Sequence, residues 1–218
     1  RDQPRSRGLG DVYKRQVKIH LEKHIPIAAG MAGGSTDAAA TLKGMNRLFD
    51  LGCTLKDLME LGVKIGADVP YCVMGGTALA EGIGEKLTPL APAPDCYVLV
   101  AKPDINVSTK YVYEHLDAQE IVKHPDIDGM VEAIAEESLQ GILDRMENVL
   151  ETVTVSAYPI IQTIKDRMKE LGAINSLMSG SGPTVFGIFV EKDMARRAYD
   201  KLEEEQLAKQ IFLTEFCE

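Results

Sequence analysis

Tryptophan is absent from this 218-residue chain and only 6% of its residues are aromatic, so stacking surfaces are scarce and each tyrosine beside a motif gains weight. Basic charge is also short: 24 lysines and arginines face 33 acidic residues, for a formal net charge of −9. That balance argues against nonspecific binding to nucleic acid or to anionic membranes, both of which need a basic face. No apolar run approaches the ~18 residues of a membrane span, and the opening residues lack the apolar stretch of a signal peptide. Cys53, Cys72, Cys96 and Cys217 form no C-x-x-C and have no histidine at metal-ligand spacing, so neither a zinc site nor a disulfide framework is expected. A reducing cytoplasm is the expected setting.

What the chain has instead is glycine in runs. Gly30-Met31-Ala32-Gly33-Gly34-Ser35-Thr36-Asp37 leads into three alanines. Such a loop lets backbone N–H groups approach phosphate oxygens, and the helix that follows adds unpaired donors and the positive end of its dipole. No lysine precedes Ser35 or Thr36, so this is not a Walker A loop, and it is not the Rossmann G-x-G-x-x-G either. In so acidic a chain the phosphates must be held locally, by amides, a helix terminus, a divalent cation and one or two lysines. Two further motifs follow. Gly66-Ala67-Asp68-Val69-Pro70 places one carboxylate in a short apolar turn between a helical and a strand-like segment, and Met178-Ser179-Gly180-Ser181-Gly182-Pro183-Thr184 is a second glycine turn.

Elsewhere, Val17 to Leu21 alternates as a half-buried strand would, and a helix is expected from Asp37, with Ala38, Leu42, Met45 and Phe49 on one face. Thr54 reads as an N-cap with Asp57 three residues on, opening a helix that Gly66 ends. Strands are expected at 76–80, 97–101, 185–190 and 211–216, helices at 111–116, 130–139, 142–153, 159–171 and 194–202, and a proline-rich linker at 89–94. Without a regular βαβ period, the class is α+β.

The three motifs, in this order and spacing, resemble the GHMP family of small-molecule kinases from about Val17 to the C-terminus. The resemblance implies a two-domain fold, with a partial nucleotide-binding domain at 17–92 and a C-terminal domain at 97–218 whose helices lie on one face of an antiparallel sheet. Residues 1–16 carry five basic and two acidic side chains, fit none of the family pattern, and are expected to be a non-native or disordered leader. The family's N-terminal strands, with their lysine and asparagine, are not matched. The resemblance further implies ATP and Mg²⁺ as cofactors, with Gly30, Ala32, Gly33, Gly34, Ser35 and Thr36 around the phosphates and Ser35 at the metal. Asp68 is the implied catalytic residue. Asp37 is divided evenly between a place near the metal and a purely structural one at the helix terminus. Thr109, Tyr113, Ser179, Gly180, Ser181 and Gly182 are the implied substrate contacts, Tyr113 either stacking on a base or packing in the core. The implied substrate is a small molecule with a cytidine diphosphate moiety. A homoserine- or mevalonate-type kinase, or a nucleotide-binding fragment without activity, remains the alternative, and the expected assembly is a monomer or a weak homodimer.

Overall fold

The computed structural model describes residues 16–116 and 124–216. The expected leader lies almost wholly outside them, as does Cys217. Cys53, Cys72 and Cys96 are free thiols.

Among the described residues, the first half is built on three helices: α1 (Gly33–Leu48), α2 (Leu55–Val63) and α3 (Val69–Met74). They close on a small core of Ala39, Leu58, Val69 and Val73. α2 starts where the sequence places it: the Thr54 hydroxyl accepts the Asp57 N–H at 3.2 Å and the Asp57 carboxylate accepts the Thr54 N–H at 2.8 Å, a reciprocal capping box. Its apolar stripe is only partly buried, since Leu58 is covered while Leu55 and Ile65 face outward. A two-stranded hairpin follows, β1 (Ala78–Glu81) and β2 (Lys86–Pro89), so the expected linker begins as strand.

The second half is a four-stranded antiparallel sheet ordered β4-β5-β3-β6, from β3 (Tyr97–Lys102), β4 (Asn175–Met178), β5 (Val185–Phe189) and β6 (Gln210–Glu215). Between β3 and β4 run α4 (Thr109–His115), α5 (Ile127–Ala135), α6 (Leu139–Asp144), α7 (Glu151–Ala157) and α8 (Ile160–Glu170), and α9 (Lys192–Glu204) joins β5 to β6. The single helix expected over 142–153 is two, α6 and α7, separated by the irregular segment 145–150. On α8, Ile161, Ile164 and Met168 recur at i, i+3 and i+7 and are fully buried against Leu99, Val185 and Phe189 of the sheet. Gly187 makes this approach possible, for a Cβ there would stand 3.0 Å from Met168 Sδ. α8 and α9 cover one face, as the resemblance implies. The other carries a smaller cluster of Cys96, Val98, Val100 and Ile188, packed against Leu143 of α6 and Met31 of the first glycine loop.

Val17 to Leu21 is not a strand. Alternation makes a strand only where a neighbour completes the ladder, and among the described residues no strand lies beside this segment. It runs exposed along α1, the two bounding a groove of about 760 Å³. Among the described residues, no helix is long and apolar enough to cross a membrane.

Candidate active site

α1 begins at Gly33 rather than at Asp37, because the glycines and hydroxyls of the first motif themselves form its opening turn. The residue before it, Ala32, is in the left-handed region (φ 48°) and has no side chain that could cap the helix. The consequence is chemical. Among the described residues the N–H groups of Gly33, Gly34 and Ser35 donate to nothing, whereas Thr36 N–H closes onto Ala32 O at 2.9 Å. Three convergent, unspent amides at a helix N-terminus form a site for an anion. The two hydroxyls differ. Thr36 Oγ1 donates to Ala32 O at 3.1 Å, while Ser35 Oγ has no partner among the described residues and is available to a ligand.

Asp37 is ion-paired. Lys23 Nζ lies 2.5 Å from Asp37 Oδ2 and 3.4 Å from Gly33 O, which places a cation beside the first turn of α1. Sequence reasoning missed Lys23: it stands 14 positions from its partner among many basic residues, and no spacing rule marks it.

Asp68 occupies the N-cap position of α3, not a turn leading to a strand. Its carboxylate is exposed and caps nothing. Cys72, one helical turn on, donates its N–H to Asp68 O at 3.2 Å and places its sulfur 3.6 Å from Thr36 Oγ1, so the opening turns of α1 and α3 stand side by side. The β1–β2 turn flanks the carboxylate, for a Cβ on Gly84 would come within 4.0 Å of Asp68 Oδ1.

The third motif closes on the first. Ser179 Oγ donates to Gly30 O at 2.7 Å across 149 residues of chain. A Cβ on Gly30 (φ +68°) would lie 2.3 Å from Ser179 O, and one on Gly180 would lie 3.3 Å from Gly30 O. Gly182 packs its backbone against the same glycine. Buried Ser181 meets Thr109 hydroxyl to hydroxyl at 2.9 Å, which brings the start of α4 to this loop. Tyr113, on α4, is 61% exposed and so does not pack in the core. Asn148, which no motif singles out, donates to Met178 O and Gly180 O at 2.8 Å each. Among the described residues no group of three or more histidines, cysteines or carboxylates could hold a metal by itself.

This geometry has relatives. Residues 4–76 match the model of the GHMP kinases N terminal domain, and residues 130–209 that of the GHMP kinases C terminal domain. The chain belongs to the GHMP kinase family. Within that family, this GHMP kinase chain is 58% identical to the 4-diphosphocytidyl-2-C-methyl-D-erythritol kinase of Lachnoclostridium phytofermentans, over 92% of this chain and 69% of that protein. It is 56% identical to the protein of the same name from Lachnospira eligens, over 91% and 69%. A crystal structure of 4-(cytidine 5'-diphospho)-2C-methyl-D-erythritol kinase superposes with a TM-score of 0.76 at 33% identity, covering 89% of this chain and 69% of that one. The homoserine kinase of Cytophaga hutchinsonii, at 21% identity and a TM-score of 0.73, shares the fold.

Proposed function

We propose that this GHMP kinase transfers the γ-phosphoryl group of ATP to the 2-hydroxyl of 4-diphosphocytidyl-2-C-methyl-D-erythritol, with its phosphate-binding half in residues 17–92 and its C-terminal domain in 97–218. The high identity to relatives of that name supports the choice of acceptor. The observation that carries the mechanism is the set of undonated amides at Gly33, Gly34 and Ser35, held against the second glycine loop and beside the opening turn of α3.

Phosphoryl transfer passes through a loose transition state, so the protein's contribution is positioning and charge stabilisation. The three amides hold the β- and γ-phosphates. Gly30 and Ala32 set the bend that aims them, and Lys23 adds a cation next to Asp37. Mg²⁺ would neutralise phosphate charge there, and the Ser35 hydroxyl, which has no partner among the described residues, is the side chain that would hold it. Asp68, exposed and with no side-chain partner among the described residues, accepts or orients the proton of the attacking hydroxyl. Thr109 and the Ser179–Gly182 loop meet the acceptor from the other side, and exposed Tyr113 offers a face for the cytosine.

The test is Asp68→Asn. It should lower kcat by ~10²–10⁴-fold, the usual worth of a general base, with ATP affinity within about twofold of wild type. Phosphorylation of the cytidylyl substrate measured beside calorimetric ATP titration decides it, and undiminished turnover would remove Asp68 from the mechanism. CDP should compete with the acceptor, and failure to compete would reassign the acceptor.

A further inference from the structure

The second glycine loop is gripped from behind by side chains that no motif marks, and they come from a single stretch of chain. Asn148, Glu151 and Thr154 recur at i, i+3 and i+6, at the entry to α7 and along one face of it. Asn148 Nδ2 donates to Met178 O and to Gly180 O, while its Oδ1 accepts the Leu150 N–H at 3.0 Å, which fixes the amide's orientation. Glu151 Oε1 accepts the Met178 N–H at 2.7 Å, and its other oxygen pairs with Lys165 Nζ at 2.5 Å, both side chains largely buried. Thr154, fully buried, donates its hydroxyl to Ser181 O at 3.3 Å.

Met178 ends β4, an edge strand, so a row of its N–H and C=O groups turns away from β5 and needs partners elsewhere. Asn148 and Glu151 supply them. The effect continues into the loop, because the carbonyl of one residue and the N–H of the next lie in one rigid plane and point in opposite directions. With Gly180 O drawn toward Asn148, Ser181 N–H is turned outward. With Ser179 O accepting Gly182 N–H at 2.9 Å, Gly180 N–H is fixed as well. Among the described residues, neither the Gly180 nor the Ser181 amide donates to anything. The carbonyls of Met178, Ser179, Gly180 and Ser181, which would repel an anion, are each taken up by a hydrogen bond within the protein.

We propose that Asn148, Glu151 and Thr154, with Lys165 completing the charge of Glu151, are positioning residues that turn the Gly180 and Ser181 amides toward an anionic oxygen of the bound substrates and hold Ser179 against Gly30. As to what the loop meets, this rests on the kinase reading above; as to the orientation of the loop, it stands alone. Through the close contact of Ser179 with Gly30, the clamp also sets the first glycine loop, since the two backbones have no slack between them.

The decisive variant is Asn148→Asp, which keeps the shape but sets a carboxylate against two carbonyls. Two measurements are made on the full chain: amide NMR with hydrogen exchange, without ligand, and titration with MgATP and with CDP. The expected result is a folded protein in which the Gly180 and Ser181 resonances move and Met178 loses protection, with ligand affinity reduced by about tenfold or more. Thr154→Val should give a smaller loss of about threefold, recovered by Thr154→Ser. If Asn148→Asp fails to fold, the Thr154 pair decides alone. Unmoved Gly180 and Ser181 resonances in folded Asn148→Asp or in Thr154→Val would overturn the clamp. Wild-type chain that binds neither nucleotide would sink the kinase reading instead, while the ligand-free spectra would still decide the clamp.

Discussion

Gly30 and Gly34 sit four positions apart in one motif and are glycine for different reasons. At Gly30 the backbone is left-handed (φ +68°) and a Cβ would strike the Ser179 carbonyl at 2.3 Å, a backbone atom that cannot swing aside. At Gly34 nothing lies within 4 Å of the Cβ position, and the residue is in the first turn of α1. The same substitution should therefore change stability in opposite directions. Gly30→Ala should cost at least ~1–2 kcal/mol from the backbone alone, with the clash added to it. Gly34→Ala should raise stability by about 0.5–1 kcal/mol, the gain of replacing glycine inside a helix. Urea unfolding of both variants checks this, and loss of stability at both sites would mean that the space beside Gly34 is not open.

α2 makes its case at the scale of one element, through the Thr54–Asp57 box. Two hydrogen bonds from Thr54, one from its hydroxyl and one from its backbone, hold the Asp57 carboxyl below the usual carboxylate range. A carboxyl whose folded pKa is depressed stabilises the fold above its unfolded value, and that contribution is lost as pH falls through the folded value. Thr54→Ala should cost ~1 kcal/mol near neutrality, as loss of an N-cap usually does, and the difference from wild type should shrink as the medium becomes acid. Thermal unfolding at pH 7 and at pH 3 measures both, and a pH-independent difference would place the cost outside the box. This helix was legible in the sequence because its signals are local: a cap, a carboxylate three residues on and an apolar stripe. The α8 stripe of Ile161, Ile164 and Met168 was legible for the same reason. Other features depend on distant partners. Val17 to Leu21 has a strand's alternation but, among the described residues, no ladder beside it, β4 is four residues of mixed character that only β5 makes a strand, and the 142–153 helix breaks where Asn148 turns to hold a loop 30 residues away. In the candidate site, the glycine motifs could be read from composition and order, and Asp68 only through the family resemblance that those motifs carry. Lys23 and Asn148 could not, because their meaning lies in partners across the fold.

At the scale of the molecule, a chain of net charge −9 is read as binding a polyanion, and the two facts make the salt dependence unusual. A basic cradle attracts phosphate over long distances and loses affinity as salt screens it. Here the proposed attraction is short-ranged, from amides at Gly33, Gly34 and Ser35 and from one paired lysine, while the summed field of the surface repels the approaching nucleotide. Screening acts on exposed charges separated by more than a Debye length of ~8–10 Å near physiological salt, and much less on contacts within the site. Added salt should thus remove more repulsion than attraction. The association rate of MgATP should rise between low and physiological ionic strength, by severalfold at most, with the dissociation rate little changed. Stopped-flow binding across a salt series measures both rates. An association rate that falls with salt would mean that cationic side chains, Lys23 foremost, dominate the field at the cleft, and the amides would then be secondary in gathering the triphosphate.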